Sequence, residues 1–330
     1  MTSSIFAPLH IHILSPIHGI GLRRTTAILA AILHESGFKV TVTLFRGNFT
    51  SRMDRAIRKL GGSVLRRPLY DVNIFVESAQ PSWFRLARIN CLIPNQEWVR
   101  EGTMEVLSEF DWILCKTKHA EGIFGRLGYR ARYIGFTSFD RIDGKVSHDY
   151  DSFIHIAGNS MLKGTEILLQ SWLNHPEWPH LKILWHAEGI TPTPAANIQW
   201  MTASVGEEML RRLQNSHSVH FCLSVAEGFG HYIVEAMSCQ ALVFATDAPP
   251  MNEIVRPERG ILVPHVREWA MRLGTSYQVD EAAIERAVDG LGQMNMTERR
   301  QMGKNARLWY LENDQLFRQR LVAAIRECAM

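Results

Sequence analysis

The chain of 330 residues has no apolar run of bilayer-spanning length, no C-x-x-C pair, no internal repeat and no low-complexity segment. The first absence leaves no candidate membrane span. The second argues against a zinc ribbon or a secreted disulfide framework. Five cysteines, Cys91, Cys115, Cys222, Cys239 and Cys328, are scattered and odd in number, and buried free thiols are the expectation. Charge of one sign is also lacking: Lys and Arg number 36 against 33 Asp and Glu, for a net +3. That mild basicity suits an anionic ligand and gives no reason to expect nucleic acid. The first residues show no basic stretch followed by an apolar core, so a cytoplasmic location is expected. Gly19 and Gly21 do not complete G-x-G-x-x-G, because Arg24 stands at the third glycine position. A nicotinamide dinucleotide site is therefore disfavoured.

What is present is an ordinary globular composition, 46% hydrophobic and 21% charged, in a chain long enough for two cores. Apolar runs alternate with helical spacing from one end to the other. His10 to Leu14 reads as a strand, Leu22 to Ser36 as a helix and Lys39 to Phe45 as a strand. Further strands are expected at Asn73 to Val76, Ala87 to Ile93, Trp112 to Lys116 and Arg130 to Phe136. Helices are expected at Arg52 to Leu60, Val99 to Phe110 and His119 to Leu127. Arg52, Arg55, Arg58 and Lys59 make the first of these basic, which is a solvated face or a contact for an anionic surface. Repeated βα units of this kind build doubly wound parallel sheets. Residues 1–140 are read as one such domain, 141–151 as a linker, 152–310 as a second domain and 311–330 as a terminal helix.

The most informative stretch is Ser218 to Glu253. Val219 to Val225 is a short apolar run, Glu227-Gly228-Phe229-Gly230 a turn, His231 to Met237 a helical pattern, and Ala241 to Ala245 a second run. Glycines before a helix let backbone N–H groups approach a ligand, and the helix N-terminus favours an anion. Two carboxylates, Glu227 and Glu235, are unsuited to phosphate but suited to accepting hydrogen bonds from hydroxyls. Glu235 is placed about two turns into the helix, so one ligand touching both must be long.

Glu227-Gly228-Phe229-Gly230-His231-Tyr232-Ile233-Val234-Glu235-Ala236-Met237 resembles the E-x7-E signature of retaining glycosyltransferases of the GT-B fold, glycosyltransferase family 4 or glycosyl transferases group 1. Asn197 to Trp200 and Ile261-Leu262-Val263-Pro264 resemble the flanking strands of that family. The likeness covers about 150–310 well and the first half in outline. It implies two Rossmann-like α/β domains facing across a cleft, with the last helix packing back on the first domain. It implies transfer of a sugar from a nucleotide-diphosphate-sugar to a hydroxyl of a glycan or lipid-linked acceptor, with retention, no metal and no cofactor. By the family pattern Glu227 holds the transferred sugar and Glu235 the ribose. Lys163 offsets leaving-group charge, and Gly228, Phe229, Gly230, His231 and Tyr232 form the donor-binding turn. Gly19 and Gly21 are expected near the donor phosphates.

The chain departs from the family at Asn159, where an arginine is usual, although Lys163-Gly164 is kept. The family often has a histidine near the Pro94 to Trp98 segment; Asn95, Gln96 and Glu97 stand there instead, and with His119 they are the acceptor-side candidates. Asp149-Tyr150-Asp151 matches D-x-D but precedes its strand, so no metal is assigned to it. The rivals are a GT-B sugar-nucleotide epimerase and a non-catalytic nucleotide-sugar-binding protein, and membrane contact is expected to be peripheral at most.

Overall fold

Apolar runs without alternation demand cover on both faces of a sheet, and the central runs His10–Pro16, Tyr70–Val76, Val219–Cys222 and Leu242–Asp247 are buried on both. The computed structural model describes residues 7–17, 19–45 and 67–330. The basic helix expected over Arg52 to Leu60, with Arg52, Arg55, Arg58 and Lys59, lies outside them. The chain divides into two units, Met1–Phe136 with Gln315–Met330, and Thr137–Asp314. The linker-like stretch 141–151 thus falls inside the second unit. Among the described residues no helix is long and apolar enough to cross a membrane.

The first unit contains β1 (His10–Pro16), α1 (Ile20–Glu35), β2 (Lys39–Phe45), β3 (Tyr70–Val76), β4 (Ala87–Ile93), α2 (Glu101–Met104), β5 (Trp112–Cys115), α3 (Lys118–Arg126) and β6 (Ala131–Tyr133). Its sheet runs β2-β1-β3-β4-β5-β6, with every pair parallel. Ile11, Ile13, Leu14, Ile74 and Phe75 have no exposed surface. A polar ladder crosses this apolar sheet. His12 donates from Nδ1 to Asn73 Oδ1 at 3.1 Å, and Asn73 donates to Asn90 Oδ1 at 2.9 Å. Thr43 donates to His12 Nε2 at 2.8 Å. Each of these residues sits opposite or diagonal to the next on the neighbouring strand, so register satisfies the buried groups. Burial lowers the His12 pKa to about 4 and keeps the ring neutral.

The helix expected over Val99 to Phe110 is only α2 followed by a 3-10 turn at Leu107–Glu109. Thr103 is buried and its Oγ1 accepts from Ala79 N at 3.2 Å. That bond and the adjacent Gly102 favour a tight local turn over helix propagation.

The second unit contains β7 (Phe153–Gly158), α4 (Thr165–Asn174), β8 (Leu181–Trp185), β9 (Ile198–Met201), α5 (Glu207–Ser216), β10 (Val219–Cys222), α6 (His231–Ser238), β11 (Leu242–Asp247), α7 (Met251–Ile254), β12 (Ile261–Met271), β13 (Gly274–Val279), α8 (Glu281–Gln293) and α9 (Met296–Cys328). Its sheet runs β13-β12-β11-β10-β7-β8-β9. The pairs are parallel except β12 with β13. Phe221 is the centre of its core. The ring lies 4.5 Å from Phe244, 5.0 Å from Trp172 and 5.8 Å from Phe153, centroid to centroid. Truncating such a ring to alanine costs about 3–5 kcal/mol.

The terminal helix expected over 311–330 is the second half of α9, which runs 33 residues without a break. Its Gly303 allows close approach: a Cβ there would lie 2.3 Å from both Gln240 O and Tyr150 Oη. The division between the two units falls within this helix.

Candidate functional site

Strand order fixes where the second unit can bind. From β7 the chain moves outward through β8 and β9, then returns to place β10 on the opposite side of β7. Ligands of open α/β sheets bind beyond the carboxyl ends of the strands at such a reversal. The loops there are 159–164 after β7 and 223–230 after β10.

These two loops meet. Gly164 has φ +69°, and a Cβ on it would lie 2.2 Å from Leu223 O, so only glycine lets the first loop close on the second. Val225 N donates to Leu162 O at 2.9 Å and ties them further. β10 ends at Cys222 rather than at the expected Val225. The three residues released from the strand belong to the site, and Ser224 among them turns towards it.

The Lys163 ammonium pairs with Glu227 Oε1. It also lies 3.9 Å from the centre of the Tyr232 ring, a cation–π contact. Ser224 Oγ donates to the same Glu227 oxygen at 2.6 Å, and the Tyr232 hydroxyl lies 2.5 Å from Ser224 Oγ. The Lys163 and Glu227 side chains are 18% and 12% exposed. Burial raises the Tyr232 pKa well above its usual value, so this hydroxyl is a donor at neutral pH. Beneath the pair, His155 is fully buried. Its Nδ1–H donates to Phe221 O at 2.8 Å and its Nε2 accepts from Thr165 at 2.8 Å. Burial holds its pKa at about 4, so no second cation sits under Lys163.

Gly228, Phe229 and Gly230 are buried in the turn before α6, and Gly230 caps that helix with φ +101°. Phe229 packs edge-on to His231, 5.6 Å between centroids. His231 Nδ1 lies 3.1 Å from Ser138 Oγ. Asn159 is exposed in the turn that follows β7.

Glu235 lies one turn into α6, not two, because the helix begins at His231. It is 1% exposed. Ser138 Oγ donates to its Oε1 and Gln214 Nε2 to its Oε2, each at 3.2 Å. Arg141 Nε stands 3.8 Å from that second oxygen. By sequence alone the segment carrying Ser138 and Arg141 reads as first-domain terminus and linker. It is strapped to the second unit by Arg141 N to Ser238 Oγ at 2.9 Å, and by Arg307 to Asp140 at 2.6 and 2.8 Å.

The remaining candidates belong to the first unit. Gly19 has φ +95° and precedes α1. Gly21 lies within the first turn of that helix rather than in the expected loop. Asn95 Nδ2 donates to Glu77 Oε2 at 2.7 Å and its Oδ1 accepts from Lys116. Gln96 and Glu97, 2% and 3% exposed, open a 3-10 turn. His119 is half-buried at the start of α3, and burial, then Arg126, lowers its pKa.

The structure therefore brings together Lys163, Glu227 and Tyr232 and sets Glu235 in a separate buried cluster. Sequence reading missed Ser224, Ser138, Arg141, Gln214, Glu77 and Lys116. The available signal was polar residues at the ends of apolar runs. Among the described residues no group of three or more His, Cys, Asp or Glu side chains could hold a metal ion.

The family model described as "Glycosyl transferases group 1" matches residues 194–309. The match lies within the second unit and spans Glu227 to Met237, the stretch that carries the family resemblance. No curated protein matches the chain. Among solved structures, a glycosyltransferase from Rickettsia africae ESF-5 is similar, with a TM-score of 0.72 at 13% identity over 98% of this chain and 99% of that one. Sucrose-phosphate synthase from Thermosynechococcus elongatus gives 0.71 at 14%, over 97% and 98%. An α,α-trehalose-phosphate synthase (UDP-forming) from Burkholderia vietnamiensis gives 0.67 at 11%, over 97% and 98%. These likenesses show the fold, two Rossmann-like α/β units of the GT-B class.

Proposed function

We propose that this chain, whose residues 194–309 match the group 1 glycosyl transferases, moves a sugar from a nucleotide-diphosphate-sugar to a hydroxyl acceptor. The observation that carries the reading is the Lys163–Glu227 pair on Tyr232 and Ser224, at the strand reversal of the second sheet. A cation beside a glycine turn and a helix N-terminus favours a diphosphate. A carboxylate held by a serine suits sugar hydroxyls.

In this reading Lys163 and the backbone amides of 228–231 stabilise the diphosphate as the glycosidic bond breaks, which is electrostatic catalysis. Glu227 positions the transferred sugar through its hydroxyls. No protein nucleophile takes part, retention is expected, and no metal is assigned. Glu235 takes the ribose hydroxyls once Ser138 or Gln214 yields its place. Asn95, Gln96, Glu97 and His119 of the first unit are on the acceptor side. The acceptor class is a glycan or a lipid-linked sugar, and the location is cytoplasmic with peripheral membrane contact at most.

The test is a thermal-shift screen against UDP-, GDP-, ADP-, TDP- and CMP-sugars beside the free nucleotides. Ligand binding only to the folded state raises the melting temperature. The reading expects a rise with one nucleotide class that is diminished by Lys163→Ala. No rise with any of them at millimolar concentration rejects it.

A further inference from the structure

The first sheet has its own strand reversal. β1 lies between β2 and β3, so successive connections leave it in opposite directions. The residue that follows β3 at this reversal is Glu77. Its φ is +65°, a left-handed conformation that residues bearing a side chain adopt at a cost. Its amide donates to Ile93 O at 2.9 Å, which holds the backbone in that state.

The side chain is held as well. Asn95, beyond the end of β4, donates from Nδ2 to Glu77 Oε2 at 2.7 Å. Lys116, beyond the end of β5, donates to Asn95 Oδ1. Lys116 is only 4% exposed, whereas Glu77 is half-buried. Three neighbouring strands thus contribute one residue each to a polar chain that links a buried ammonium to a half-buried carboxylate. The two bonds also fix the Asn95 amide, its oxygen towards the cation and its nitrogen towards the carboxylate. A strand end with no other task could use glycine or asparagine at position 77 with less strain. Strain that persists in spite of this gathers at ligand sites.

We propose that Glu77 binds the hydroxyls of a sugar-like ligand, with Asn95 and Lys116 as its positioning residues. A fixed carboxylate accepts hydrogen bonds from adjacent hydroxyls of one ring, and these charge-assisted bonds are the stronger kind. Describing that ligand as the acceptor of sugar transfer rests on the proposed function; the binding of hydroxyls by Glu77 does not.

Saturation-transfer NMR on the full chain tests this with methyl α-D-glucopyranoside, methyl α-D-mannopyranoside and sucrose at millimolar concentration. Wild-type protein is expected to saturate the ring protons of at least one probe. Glu77→Gln should raise the half-saturating concentration about tenfold, the loss of one charged acceptor. Glu77→Gly should abolish the signal while raising the melting temperature, because glycine relieves the left-handed φ. A purely structural Glu77 would leave probe binding intact in both variants. That result overturns the proposal, as does a wild type that saturates none of the three probes. The nucleotide thermal shift is read separately: its absence removes the transferase reading, while dependence of probe binding on Glu77 stands by itself.

Discussion

Lys163 is ion-paired with Glu227 while its ammonium lies 3.9 Å from the centre of the Tyr232 ring, and the carboxylate is also bonded to Ser224. The same lysine is asked to hold a diphosphate in the proposed reaction, so Glu227 competes with that ligand for it. Glu227→Gln should therefore act in opposite directions. Free nucleoside diphosphate should bind about threefold to tenfold more tightly, since a nearby negative charge is gone. Transfer should fall about a hundredfold, because the sugar is no longer positioned. Calorimetric titration and a single-turnover assay read the two effects. Weaker nucleotide binding by this variant would refute the competition.

Gly164→Ala should be among the most damaging single-methyl changes in the chain. The added Cβ meets Leu223 O at 2.2 Å, and the φ of +69° disfavours any side chain. Overpacking and backbone strain together predict a loss of about 3 kcal/mol or more. The loops after β7 and β10 would also separate, so nucleotide-dependent stabilisation should vanish with it. A urea-melt midpoint within error of wild type rules out the closed contact described above.

Glu235 has a structural task whether or not it also meets a ribose. Glu235→Ala strands Ser138, Gln214 and one side of Arg141 in a buried cluster. The expected cost is about 2–4 kcal/mol, with Glu235→Gln milder. Chemical denaturation measures it. A ribose role adds a second signature, an approximately tenfold loss of nucleotide affinity in the well-folded Glu235→Gln variant. Nucleotide affinity equal to wild type would leave Glu235 with the strap alone.

Acid should destabilise the protein well above the carboxylate range. Burial lowers His12, His155 and His220 each to about 4 in the folded state. Unfolded histidine titrates near 6.5. Between these values the unfolded chain binds more protons than the native one, so stability rises with pH. It is complete above about 6.5 and is lost as pH falls towards 4, by up to about 3 kcal/mol per histidine. Replacing His155 with glutamine should flatten the dependence of unfolding free energy on pH across this window. An unchanged slope would show that His155 is not held neutral.

Much of the fold is legible because its central strands are apolar runs buried on both faces while the edge strand β2 alternates. Lys39 to Phe45 and Ala87 to Ile93 are bounded in the structure as they are in the sequence. The second domain is legible because glycines and charged residues stand at fixed places around Glu227. What escapes is whatever depends on distant partners. Ser224 looks like the interior of a strand until β10 stops at Cys222. Ser138 and Arg141 look like a domain end and linker because their partners, Glu235 and, for Arg141, also Glu207, lie far along the chain. Glu77 is marked only by its place after the apolar run of β3; its left-handed backbone and its bond to Asn95 exist only once β3 and β4 are paired. The continuity of α9 is not legible, because amphipathic spacing drifts where a helix runs from one unit into the other.

That long helix has a consequence for biosynthesis. Phe317, Leu321, Ala324 and Ile325 are fully buried, and Phe317 packs on Phe136 with ring centres 4.7 Å apart. They belong to the first unit, although they are translated after all of the second. A ribosome therefore releases the whole middle of the chain, which can fold as one contiguous piece, before the beginning receives its last apolar cover. Until then the nascent first sheet keeps an unsealed hydrophobic face, a state open to chaperone capture and to aggregation. Stop codons late in the reading frame would accordingly injure the oldest part of the polypeptide rather than the newest.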